Sequence, residues 1–470
     1  MSIPTPPTTR ASAANIARAA RPARKTGYDK PRFVTGSLLR HVLVMTGTGA
    51  LGLMAIFLGD LANIYFLRQL NDEPIIAAVG YGSSIIFLTI SIGIGLAIAA
   101  TALVSPAIGA GKMVRARRLV VHAHILTFTI SAVLALVVWL LITPMLELLG
   151  ATGRTLNLAE SYLTILVPAL PPLAAGMTSS AILRSVGDAR RAMNVTLLGA
   201  VTNIVLDPIF IFGLELGIEG AALASALSRI TVLAVGLYGV ICIHGLMGRP
   251  KPKTIIKDVA AFASIAVPAM ATNVATPFAN AYVTASISTY GDAAVSGWTV
   301  IGRIIPVAFG TIYALSGSVG PIVGQNFGAK DKARMRETLT TSYLVALGFA
   351  ALAWLGLVLF SELIVQEFAT SPEAAELIRL FCYWLAPLFG FLGILFVSNA
   401  IFNTLQRPYI STALNWGRAT LGTIPFVMIG GAWAQAEGVL AASQAGGIVF
   451  GALAAVLAYG LIEKLTRDWR

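Results

Sequence analysis

The stretch TNIVLDPIFIFG, Thr202 to Gly213, sets one aspartate, Asp207, in an otherwise apolar run, four residues after the amide of Asn203. An ionised carboxylate in low dielectric is costly, so such a group is paired, protonated or functional. Composition decides what surrounds it. The 470 residues are 57% hydrophobic and 11% charged, with mean hydropathy +0.81, whereas soluble domains are about a quarter charged. The chain therefore reads as a polytopic, all-α integral membrane protein. Apolar stretches long enough to cross about 30 Å of hydrocarbon as helices recur along it. Their length, and the lack of short alternating segments, argues against a barrel. Twelve spans are expected near 40–67, 75–106, 119–146, 158–183, 192–214, 219–245, 258–288, 294–325, 338–362, 376–403, 409–433 and 438–462.

The net charge of +12 does not point to nucleic acid, because it is distributed by side of the membrane. Basic residues gather in alternate gaps: Lys112 to Arg118, Arg184 to Arg191, Arg249 to Lys257, Lys330 to Arg336, Arg407, and Lys464 to Arg470. The other gaps hold mostly acids, among them Asp72, Glu147, Glu215, Asp292, Glu367 and Glu437. That alternation puts both termini in the cytoplasm of a multi-pass inner-membrane protein and supports the even span count. The tail, residues 1–36, is rich in Arg and Ala with Asp29 as its one acid. It reads as a cytoplasmic basic arm near anionic lipid. Cys242 and Cys382 fall inside expected helices and read as small buried thiols rather than a disulfide.

The text is also written twice. AILRSVGDARRAM from Ala181 is echoed by AIFNTLQRPYIST from Ala400, and VSPAIGAGKMVRARR from Val104 by VGPIVGQNFGAKDKARMR from Val319. Pro208 answers Pro425, and Ala62-Asn63 answers Ala279-Asn280; the offset stays at roughly 215–219 residues. Six helices per copy is an even number, so both copies enter the membrane in the same direction. Two parallel six-helix bundles follow, at 37–247 and 259–470, joined by a cytoplasmic linker at 248–258. The expected symmetry axis lies along the membrane normal, with a central cleft between the bundles, as in a rocking transporter.

LRSVGDARRAM, NIVLDPIFIFGLELGIEGAALAS and GPIVGQNFGAKDKARMRE resemble signature blocks of the multidrug and toxic compound extrusion (MATE) family, closer to its DinF-like proton-coupled branch. The resemblance covers nearly all of the chain beyond the tail. It implies a non-enzymatic secondary antiporter that exports bulky, often cationic organic compounds, driven by protons or sodium ions. Asn203 and Asp207 match that branch's Asn-xxx-Asp pair on the fifth helix. At i and i+4 they share a helical face, so the amide can hold the carboxyl. Tyr162 also matches a site position, and Ser180 stands where those members often have asparagine.

The first helix departs from the pattern. Counting back from Ala77-Ala78-Val79-Gly80, the usual acid position holds Asn63, with Asp60 one turn earlier on roughly the same face. Asp60 is taken here as the functional carboxylate, assisting Asp207. The coupling and substrate set is therefore Asp207, Asn203, Asp60, Asn63, Tyr162 and Ser180, with no catalytic or metal-ligating residue and no cofactor. Protons are the expected coupling ion, with sodium the alternative; the expected partners are small organic substrates and lipid, for a monomer.

Rival readings rest on specific residues. A structural role would pair Asp207 with a buried arginine such as Arg229 or Arg303. Arg229 and Arg418 otherwise read as packing or lipid-headgroup contacts, and His122 and His124 as interfacial groups. A lipid-linked precursor flippase of the same superfamily would need several cleft arginines for a diphosphate, and Arg229, Arg303 and Arg418 offer few. An enzyme loses support because no DDxxD or HExxH is present and GAGKM at 109–113 lacks the rest of a P-loop.

Overall fold

The structure, a computed structural model, describes residues 31–248 and 252–469. The expectations for the first 30 residues and for the linker at 249–251 lie outside it. The first bundle holds α1 (Leu38–Arg68), α2 (Glu73–Gly109), α3 (Met113–Leu140), α4 (Gly153–Ser185), α5 (Ala189–Gly213) and α6 (Gly217–Ile243). The second begins with α7 (Thr254–Ser288), α8 (Asp292–Gly328), α9 (Lys332–Phe368) and α10 (Pro372–Thr404). The remaining helical run, Pro408–Leu465, has 58 residues and would stretch about 87 Å if continuous, nearly three times the hydrocarbon thickness. It is interrupted by a turn at 420–423 and broken at Ala434 (φ −137°, ψ 30°) and Gln435 (φ 49°, ψ −133°). The break divides it into α11 (408–433) and α12 (436–465), completing the twelve-helix fold. Several helices run past their apolar stretch, so Arg115, Arg117 and Arg118 sit in the first turns of α3.

The repeat is visible in the packing. α1 lies on α5 and α4 on α6 in the first bundle; α7 lies on α11 and α10 on α12 in the second. Even irregularities recur. A tightened turn at Val167–Ala169 in α4, around Pro168, returns at Ala386–Leu388 in α10, around Pro387. The bundles meet through α1 against α8 and, reciprocally, α2 against α7.

Small residues set how closely they meet. A Cβ on Gly109 would fall 2.0 Å from the Gln325 carbonyl oxygen, and one on Gly328 2.0 Å from that of Pro106. The last turns of α2 and α8 thus cross backbone to backbone at the end of the molecule that carries the basic connections. Among the described residues, every hydrogen bond joining the bundles is also at this basic end. Arg118 and His122 of α3 hold Asp258 of α7 at 3.1 and 2.6 Å. Gln325 of α8 is fully buried; its Nε2 donates to the Ser185 carbonyl at 2.7 Å and its Oε1 accepts from the Phe33 amide at 2.9 Å. The Phe33 carbonyl accepts from Asn326 and Arg334 at 3.2 and 2.9 Å, while Arg32 donates to the Gly187 carbonyl at 3.3 Å. The segment ahead of α1 is threaded between the two bundles and bonded to both.

Asp188 anchors the adjoining α4–α5 turn. It caps α5 by accepting from the Arg191 amide at 3.2 Å and pairs with Arg191 Nη1 at 2.5 Å and His244 Nε2 at 2.9 Å. Burial pushes its carboxyl up, but the bonds from His244 and Arg191 outweigh this and hold it well below the usual carboxylate range. Asp188→Ala is expected to cost about 1–2 kcal/mol for the cap alone. A depressed group stabilises the fold above its unfolded value, so the loss should be complete down to about pH 4 and shrink only in strong acid. Thermal unfolding across pH checks it.

One sequence reading needs correction. Cys382 is buried, but Cys242 is exposed on α6. His122 and His124 are both buried in protein; His124 bonds Ser179 at 2.8 Å and the Val120 carbonyl at 2.9 Å.

Candidate functional site

Gly52 and Gly59 face α5 from α1, and Asn63 continues that face one turn on. A Cβ on Gly52 would lie 2.4 Å from Thr196 Oγ1, and one on Gly59 3.8 Å from Ala200 Cβ. This close approach lets the Asn63 amide reach across to α5. Its Nδ2 donates to both oxygens of Asp207 at 3.0 Å, and Asn203, one turn before Asp207, donates to Oδ2 at 2.9 Å. Asp207 has 0% exposure and Asn63 7%. Just beyond, Pro208 lacks an amide hydrogen and the helix widens over Ile209–Gly213, with the Leu214 amide bonding the Ile209 carbonyl. Such widened turns are frequent at functional sites.

A second group lies beside the first. The tightened turn in α4 sends the Leu170 amide to the Val167 carbonyl, leaving that of Leu166 without its usual helical partner. Arg229 of α6 takes it, donating at 3.1 Å. Its guanidinium acts electrostatically on Asp60 and Tyr162, and Tyr162 also feels the charges of Asp60 and Asp207. Tyr162 is buried against Gly82 of α2, whose missing side chain makes room for the ring.

Of the six expected residues, the structure brings Asp207, Asn203 and Asn63 into direct contact and sets Tyr162 beside them. Asp60 is exposed one turn away and, among the described residues, forms no hydrogen bond. The counted position, Asn63, is the one that touches Asp207, not the shifted acid. Ser180 is not brought here. It sits near the basic end of α4, donating to the Ala192 carbonyl at 3.1 Å and accepting from Arg184 at 2.9 Å. Among the described residues no arginine pairs with Asp207: Arg229 bonds backbone, and Arg303 is exposed on α8. Arg229 and Arg418 are each 9% exposed and lie inside their bundles. The Gln325 and Arg418 contacts escaped the sequence reading, although Gln325 lies within one of the quoted blocks.

The MatE family model matches the chain twice, at residues 48–209 and 268–429, once in each bundle. A FAD transporter of Shewanella oneidensis is 28% identical over 443 residues, covering 93% of this chain and 98% of that protein. The multidrug export protein MepA of Staphylococcus haemolyticus is 26% identical over 69% of this chain and 72% of its own length. The crystal structure of the Vibrio cholerae MATE transporter VcmN in its bent form superposes with a TM-score of 0.86 at 26% identity, covering 92% of this chain and 98% of that one. A doubled match in register with the two bundles, on a shared twelve-helix fold, places the chain in the MATE family of multi-pass membrane transporters.

Proposed function

We propose that the protein exports bulky organic compounds across the cytoplasmic membrane in exchange for protons, by alternating access. One observation carries this: the fully buried Asp207 links α1 to α5 and, among the described residues, its hydrogen-bond partners are all neutral amides. An ionised carboxylate accepts from all of them. Once protonated, it has a hydrogen to donate, and at least one facing amide must turn its oxygen inward or let go. The α1–α5 contact therefore differs between the two protonation states, and α1 also packs on α8 of the other bundle. That difference is what coupling requires: a proton that favours one orientation over the other. Sodium is the weaker reading: hard cations take oxygen ligands, so it would require both amides, which now present nitrogen, to turn, where a proton requires only one. The basic end and both termini belong on the cytoplasmic side by charge, with the tail at 1–36 against anionic lipid.

The MepA likeness supports efflux of varied drugs, where a deprotonated Asp207 and Asp60 would attract a cation and protonation would release it. A second substrate reading, an organic anion, is favoured by the similarity to a FAD transporter over 93% of the chain. It is also favoured by buried charge away from the basic end, where Arg229 and Arg418 outnumber Asp207. The test is efflux of ethidium and of FAD from proteoliposomes under separately imposed proton and sodium gradients. A proton gradient alone is expected to drive accumulation against a concentration difference. Movement driven by sodium alone, or merely down the concentration gradient, sinks the reading.

A further inference from the structure

Arg418 of α11 is a buried cation. Its Nη2 donates to Thr276 Oγ1 of α7 at 3.0 Å, its Nε is buried without an acceptor, and only 9% of the residue is exposed. Among the described residues no carboxylate pairs with it. Among the described residues, the Tyr313 hydroxyl of α8 acts on it electrostatically. The acids of the second bundle sit in end turns, such as Asp292, Glu362 and Glu463. A guanidinium taken out of water without a partner is a costly arrangement.

The position matters as much as the charge. The Arg418–Thr276 bond joins α7 to α11, the pair that repeats α1 and α5, where Asn63 and Asp207 meet. Corresponding seams of the two bundles thus hold an acid in one and a base in the other. Tyr313 lies on α8 and Thr276 on α7, the two helices that face the first bundle, and both are half-buried. Both helices that flank Arg418, α7 and α8, also pack on the first bundle.

We propose that Arg418, with Thr276 and Tyr313, receives the anionic group, a phosphate or carboxylate, of a transported organic anion. The guanidinium presents a planar set of donors that matches such oxygens, and a bound anion would supply both the missing charge and an acceptor for Nε. This rests on the transport reading above but not on which ion drives it.

Binding of FAD, riboflavin and ethidium to the purified full-length protein tests it, with Arg418→Gln and Arg418→Lys alongside. FAD and riboflavin share the ring system, and FAD adds the diphosphate and an adenosine. Wild type is expected to bind FAD more tightly than riboflavin. Arg418→Gln should weaken FAD about tenfold or more, the scale of one charge-assisted bond, and leave riboflavin and ethidium unchanged. Arg418→Lys, which keeps the charge but not the fork, should fall between and serves if the glutamine variant fails to fold. Equal losses for all three ligands, or an unchanged FAD affinity, would overturn the proposal. So would displacement of FAD by added phosphatidylglycerol, which would reassign the cation to a lipid headgroup. If sodium proved to drive ethidium efflux, the proton reading would fall while these binding results still stood.

Discussion

Asp207→Asn should abolish proton-driven efflux, a fall on the order of 100-fold or more to the leak rate, while ethidium binding survives within a few-fold. The amide is nearly isosteric with the carboxylate, so the buried volume between α1 and α5 is kept. It also retains an oxygen that can accept from the Asn63 amide, now 3.0 Å from Asp207. What it loses is the ability to gain and release a proton. A ligand with no differential affinity for two states shifts neither, however tightly it binds, and a seam that cannot change protonation gives the proton no such difference. Asp60→Asn is the necessary comparison. Asp60 is exposed and makes no hydrogen bond among the described residues, though it shares the field of Arg229; its loss should slow transport only several-fold. Both rates are measured in proteoliposomes with an imposed proton gradient. If Asp207→Asn pumps like wild type, or if Asp60→Asn is the variant that stops, the role given to Asp207 is wrong.

Sequence spacing made part of this site legible. Asn203 and Asp207 are four residues apart on one helix, so their contact needs only the helical period. The twelve helices and the doubled bundle were legible for a similar reason, since hydropathy and a steady offset survive without any knowledge of packing. Contacts between helices were harder. Residue type argued for Asp60 over Asn63, but three residues move a side chain about 4.5 Å along α1, and the glycine face fixes which one meets α5. Ser180 is 18 residues from Tyr162 on the same helix, about 27 Å along the axis, so matching a motif's residue types could not place both in one site. The Gln325 contacts span 140 and 292 residues. A buried glutamine in a Gly-rich run carries no local signal of what it will bond.

Those long-range contacts make Gln325→Leu the second large effect. Gln325 bridges the bundles through one side chain, donating to the Ser185 carbonyl and accepting from the Phe33 amide. Leucine fills similar space but leaves both backbone groups buried without partners, at about 1–3 kcal/mol each. The total of about 2–6 kcal/mol falls on the state closed at the basic end, because opening that end exposes both groups to water. An equilibrium needs about 5.5 kcal/mol to move from 1:99 to 99:1, so the upper end of this range reverses the orientation and the lower end shifts it about 30-fold. Ser105 reports it. It is fully buried beneath the α2–α8 crossing, where a Cβ on Gly324 would lie 2.5 Å from its own. With Cys242 and Cys382 replaced, a cysteine in place of Ser105 should react with a membrane-impermeant maleimide from the basic side at least about tenfold faster when Gln325 is leucine. Phe33→Ala should act in the same direction, and the two together should add up to less than their sum, since they break one clasp. A cysteine in place of Ala294, buried at the acidic end, separates opening from unfolding and should stay protected. Unchanged labelling of the Ser105 probe, or equal acceleration at both ends, would mean that the segment ahead of α1 does not hold the bundles together.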